Sequence, residues 1–74
     1  MGKQNKIIEK LGTEKVFLEN SFEEIAVKSL PGMGKNWFAK SKGGKEYEIN
    51  SESQVVNDAI NEASEMTEQA YETY

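Results

Sequence analysis

Two Gly-Lys pairs are the first places where residue type and spacing could do chemistry, because Gly-Lys closes the phosphate-cradling P-loop. That loop needs a glycine five places before its second glycine and a Ser or Thr after the lysine. Around Gly34-Lys35 those positions hold Ser29 and Asn36, and around Gly44-Lys45 they hold Ala39 and Glu46. Both pairs read as turn glycines beside a solvated lysine.

Acid–base chemistry would have to rest on carboxylates, since the chain contains no His and no Cys. Their absence removes disulfides, zinc fingers, ligation of haem or iron–sulfur clusters by imidazole or thiolate, and every Cys–His or Ser–His catalytic design. Glu23 and Glu24 are adjacent, and Glu46 and Glu48 fall on one face of an extended segment. A general acid, however, needs a raised pKa in an apolar pocket. A chain of 74 residues does not easily enclose both a core and a pocket of roughly 300 Å3. Asp58 is the only aspartate, so no calcium loop is present. The expectation is a protein that is not an enzyme, with no cofactor and no metal.

Two charged sets remain as candidate binding residues. Lys35, Lys40, Lys42 and Lys45 cluster around Trp37 and Phe38, and lysines among aromatics suit a single-stranded nucleic acid or RNA. Arginine, the commonest bidentate reader of guanine, is absent, which argues against sequence-specific readout. Trp37 also alternates onto the strand face that a helix would cover. The second set is Asp58, Glu62, Glu65, Glu68 and Glu72, which recur every three or four residues. On one helix they would place a carboxylate every ~4.5–6 Å along a line. Such a row can imitate a nucleic-acid backbone and steer onto a basic groove; a purely solubilising role competes with that reading.

Charge is distributed unevenly along the chain. Residues 1–45 hold all 9 lysines and 5 glutamates, whereas residues 46–74 hold 8 acids and no base. An asymmetry of this kind favours a charged partner, unless the two parts face each other in the fold and neutralise one another.

The elements that must position these residues can be read from pattern. Val55, Val56, Ala59, Ile60, Ala63, Met66, Ala70, Tyr71 and Tyr74 follow the spacing of one helix face. With Ser51 and Gln54 as a capping box, this predicts a long C-terminal helix over about 52–72. Before it, residues 36–42 and 45–50 flank Gly43-Gly44, the signature of a β-hairpin whose type I′ turn needs positive φ at both central residues. Residues 15–18 have strand character. Ile7, Ile8 and Leu11 with Gly12 as a stop suggest a short helix. Ser21-Phe22-Glu23-Glu24 matches a capping box, and Phe22, Ile25, Ala26 and Leu30 follow helical spacing, which favours a second short helix ended by Pro31-Gly32. A strand with Ile25 and Val27 on one face is the competing reading.

The fold expected is α+β: a single small domain over residues 1–74, with a short antiparallel sheet including the 36–50 hairpin packed on the long helix, and one or two short N-terminal helices. Ile60, Ala63, Met66, Ile49, Tyr47 and Trp37 should be buried together. So thin a core gives about 3–5 kcal/mol, so a bound partner or a homo-oligomer would add stability. Gly2 opens a myristoylation-like start, but Lys6 stands where Ser or Thr is required. No stretch reads as a signal peptide or a membrane span, which suggests a soluble cytoplasmic protein. The function expected is that of a small acidic binding protein, a regulator or inhibitor docking on a protein partner through the acidic helix face. One concrete form is a phage-encoded inhibitor of a host nucleic-acid enzyme. The alternative is a small nucleic-acid-binding module using the lysine hairpin.

Overall fold

Val16, Phe17 and Leu18 are β-branched, aromatic and aliphatic residues in succession, and the strand they form is buried on both faces. That fact organises the molecule. The structure is a computed structural model, and it describes residue 7 and residues 9–32, 35–62 and 64–74. Four strands, β1 (Val16–Asn20), β2 (Ile25–Ser29), β3 (Asn36–Ser41) and β4 (Glu46–Asn50), form an antiparallel sheet in sequence order. Two short helices follow, α1 (Gln54–Glu62) and α2 (Glu68–Glu72).

The register divides the side chains between two faces. Leu18, Val27, Ala39 and Tyr47 lie in one cross-strand row, with Trp37 beside Ile49. On this face Val16, Leu18, Val27, Trp37 and Ala39 pack with Ile7, Val56 and Ala59 to form the main core. Phe17, Lys28, Phe38 and Glu48 make a row on the opposite face. There Phe17 and Ala26 pack under Tyr71, with Met66 and Tyr74 at the margin. The sheet therefore lies between α1 and α2.

This arrangement corrects the long C-terminal helix. Helix α1 stops at Glu62, and residues 64–66 run along the outer edge of β1. Glu19 N–H donates to Ser64 O, and Met66 N–H donates to Phe17 O, both at 2.9 Å. Thr67 then caps α2, its hydroxyl accepting from Ala70 N–H at 3.0 Å. An unbroken helix would leave Phe17 and Ala26 uncovered and the edge of β1 unpaired. It would also stack Asp58, Glu62, Glu65, Glu68 and Glu72 as successive like-charge neighbours, each pair costing ~0.2–0.5 kcal/mol. The start differs as well. Ser53, not Ser51, caps α1, accepting from Val56 N–H.

Residues 25–29 are a strand, so the second short helix is also corrected. Both faces of β2 are covered, which hides the alternation that marks a half-exposed strand. Ser21 does not pair with Glu24; residues 21–24 are a turn in which Glu24 has φ of 54°. The β3–β4 hairpin forms as expected, with a different turn. Gly43 has φ of 76°, while Gly44 lies outside the positive region and donates its N–H to Ser41 O at 2.7 Å.

The N-terminal expectation fares better where it can be followed. Ile7, Glu9 and Lys10 are helical, Ile8 lies outside the described residues, and Gly12 with φ of 85° ends the turn. Of the expected core, Trp37 is buried, Ile49, Ile60 and Met66 are half-buried, and Ala63 lies outside the described residues. Tyr47 is 43% exposed because β4 is an edge strand. Among the described residues no helix is long and apolar enough to cross a membrane.

Candidate functional site

The charged residues have first to be placed. Among the described residues four ion pairs cross the molecule: Lys10–Glu65 at 2.9 Å, Lys15–Glu68 at 3.6 Å, Lys28–Glu46 at 2.8 Å and Lys35–Glu52 at 3.2 Å. Each joins a lysine from residues 1–45 to a glutamate from residues 46–74. Much of the charge asymmetry of the sequence is thus consumed inside the fold.

The acidic set does not form one line. Asp58 and Glu62 stay together on α1. Glu65 and Glu68 turn to Lys10 and Lys15 at the β1 side, and Glu72 is exposed on α2 against the other face. The lysine set is divided too. Lys35 pairs with Glu52. Lys40 donates to the carbonyls of Tyr71 at 3.2 Å and Glu72 at 2.7 Å, satisfying the carboxy end of α2. Lys42 and Lys45 flank the hairpin turn, exposed. Trp37 is buried at 2% exposure, and Phe38 carries the Lys28 ammonium 5.1 Å above its ring. The tryptophan is part of the core and the phenylalanine face is occupied by a cation, so neither offers a stacking platform.

Beside α2 lies an open cleft of about 400 Å3, lined by Lys28, Lys40, Gly44, Lys45, Glu46, Tyr71 and Glu72. The Tyr71 hydroxyl donates to Glu46 at 2.7 Å, and Lys28 sits 5.2 Å from the Tyr71 ring. Hydrogen bonding from Lys28, aided by Tyr71 and opposed by burial, holds the Glu46 carboxyl below its ordinary value. Burial, then Glu46, pushes the Tyr71 hydroxyl well above its own. Both shifts lead away from neutral pH, so neither group is poised to transfer a proton there. Among the described residues no group of three or more acidic side chains could hold a metal ion.

The β1–β2 turn is the better candidate. At its base Asn20 is completely buried; its side-chain amide donates to Val55 O at 3.2 Å, and its Oδ1 accepts from Glu23 N–H at 3.2 Å. Ser21 donates from both its N–H and its hydroxyl to Glu62 Oε1, at 3.2 and 3.0 Å. From the other side Lys42 N–H donates to Glu24 O at 3.0 Å. At the tip, Phe22 is 84% exposed. The side chain expected on a helix face is held out in water by a turn fastened to β1, α1 and the β3–β4 hairpin.

Carboxylates gather around this turn. The Tyr74 hydroxyl donates to Glu19 at 3.0 Å. Burial first, then Glu19, with Glu24 and Glu62 adding, pushes that hydroxyl up to about 12. Glu19, Glu24 and Glu62 therefore share one neighbourhood with Glu23 beside them. Asn20 and Phe22 are the residues that periodicity missed. The available signal was Asn20-Ser21 one residue beyond the apolar run Val16-Phe17-Leu18, a turn mark that competes with helix capping. Comparison with protein-family models, with curated proteins and with solved structures finds no match to this chain.

Proposed function

We propose that this chain is a small non-enzymatic binding protein, a regulator or inhibitor that docks on a protein partner. The observation that carries the reading is Phe22, an aromatic side chain 84% exposed at the tip of a turn hydrogen-bonded on three sides. A rigid aromatic presented on a loop is the usual anchor of a protein interface, because little conformational entropy is lost when it enters a pocket. Of the acidic set read from the sequence, Glu62 belongs to this site, with Asp58 one turn back on α1. The partner surface that suits it is an apolar socket with basic groups toward Glu23, Glu24 and Glu62. The nucleic-acid alternative is weaker, because Lys35 and Lys40 already have partners and Trp37 is in the core.

Capture from a host lysate with the tagged protein and with Phe22→Ala tests this reading. The substitution removes an exposed side chain, so folding stability should stay within about 0.5 kcal/mol of the parent. Binding of the captured protein should weaken by at least about tenfold, the mark of an anchor residue. Equal capture by both proteins refutes the assignment.

A further inference from the structure

The two edges of the sheet are treated differently. Ser51 N–H donates to Lys35 O, which sets the phase of the β3–β4 ladder: residues 47 and 49 exchange bonds with β3. The N–H and C=O of Glu46 and Glu48, and the N–H of Asn50, are therefore directed away from the sheet. Asn50 O is turned aside to accept from Ser53 N–H at 3.0 Å. The same alternation points Phe17 and Glu19 outward at the opposite edge, and there residues 64–66 meet them. No described residue pairs with the outer edge of β4. Of the usual edge protections β4 has only its shortness and its two glutamates, since it holds no proline and no lysine and its register runs without a skip.

We propose that β4 accepts an extended segment of a partner protein as an added strand, one in which apolar side chains alternate with Lys or Arg. On the α1 side the added strand meets Tyr47, 43% exposed, and half-buried Ile49, and so extends the two rows that end at those residues. On the other side it meets Glu48, whose neighbour within the sheet is the uncharged Phe38. Basic residues there give opposite-charge cross-strand pairs. A second copy fits less well. Antiparallel pairing of two β4 strands about Glu48 sets like charges directly opposite and joins two chains of net charge -4. The surface is separate from the Phe22 turn, and the proposal does not depend on that reading.

The test is a titration of the isotope-labelled full chain with a blocked peptide of alternating lysine and valine, against a control of alternating glutamate and valine. Amide exchange at Glu46, Glu48 and Asn50 should slow about tenfold when the lysine peptide reaches roughly ten times its dissociation constant. The glutamate peptide should leave it unchanged. Glu48→Pro gives up an outward N–H and the carboxylate but no bond to β3, so the β3–β4 ladder is kept while the lysine peptide loses its effect. If that variant fails to fold, Glu48→Lys serves, and should weaken binding of the lysine peptide. Unchanged exchange at millimolar lysine peptide, equal slowing by both peptides, or protection that rises with protein concentration alone would each overturn the proposal. Continued capture through Phe22 alongside silent β4 amides would sink this proposal and leave the other standing.

Discussion

The two faces of the sheet are covered by unlike means. Toward α1, eight buried residues from the sheet, the helix and the N-terminal segment meet without a charge among them. Toward α2, Phe17, Ala26 and Tyr71 are the only buried apolar residues among those described, and Lys28, Lys40 and Glu46 complete the cover by hydrogen bonds and by cations over rings. The reason is length. Helix α1 has 9 residues and α2 has 5, too few to lay a full apolar stripe across four strands. The first face should therefore be held by apolar burial, which does not titrate, and the second by groups that do.

The largest effect should come from breaking the first face. Leu18 is fully buried between the sheet and α1, and Leu18→Ala should cost about 2–5 kcal/mol, a large part of the stability of so small a domain. Ile60→Ala should cost less, since Ile60 only borders that cluster. Denaturant melts at several pH values check the comparison. The loss at Leu18 should not change with pH. A loss that varied with pH would show that the two faces are energetically one.

A smaller effect is expected on the second face. Glu46→Gln keeps the shape but leaves Lys28 without its counter-charge. With the carboxylate 37% exposed, the cost at neutral pH is about 1 kcal/mol. The folded pKa of Glu46 lies below its ordinary 4.5. Its contribution is therefore complete above that pH and disappears as pH falls from 4.5 through the folded value. Parent and variant melting temperatures should converge below that window. If the gap persists in acid, the Lys28–Glu46 pair is not what holds the second face.

How much of this could be read in advance depends on how local each signal was. The 36–50 hairpin was legible because alternation about Gly43-Gly44 lies within neighbouring residues. Strand β2 was ambiguous because Ala26 and Val27 are both buried, on opposite faces, and two-sided burial erases the period that separates strand from helix. The break after Glu62 was not legible. It answers a need elsewhere in the chain, the uncovered Phe17 and Ala26 and the unpaired edge of β1, and an unbroken helical period continued through it. The acidic row failed as one line for the same reason, since its geometry presumed the helix. Ion pairs such as Lys10–Glu65, 55 positions apart, became readable only once the topology was known. The asymmetry of charge that they neutralise was plain from the start.

The smallest effect separates the two faces at the opposite end of the pH scale. Tyr74 sits at the margin of the second face, its hydroxyl bonded to Glu19 and its N–H to Tyr71 O. Burial and that carboxylate raise its pKa from 10.0 to about 12. A raised pKa means that the folded chain holds the proton more tightly, so the contribution is complete below pH 10 and is lost as pH rises from 10 through 12. Tyr74→Phe removes one charge-assisted hydrogen bond at a half-exposed position and should cost about 0.5 kcal/mol near neutrality. Between pH 10 and 12 it should flatten the alkaline decline of stability. Lysines deprotonate in the same range, so phenolate absorbance must be followed beside the melt. In the parent one tyrosine, Tyr74, should ionise late near the upper limit of that window, with Tyr71 later still. In Tyr74→Phe the first of these late steps should vanish while Tyr71 remains. If the alkaline slope is unchanged although that step is gone, Tyr74 is only a spectator, and the second face is held by Tyr71, Glu46 and the two lysines alone.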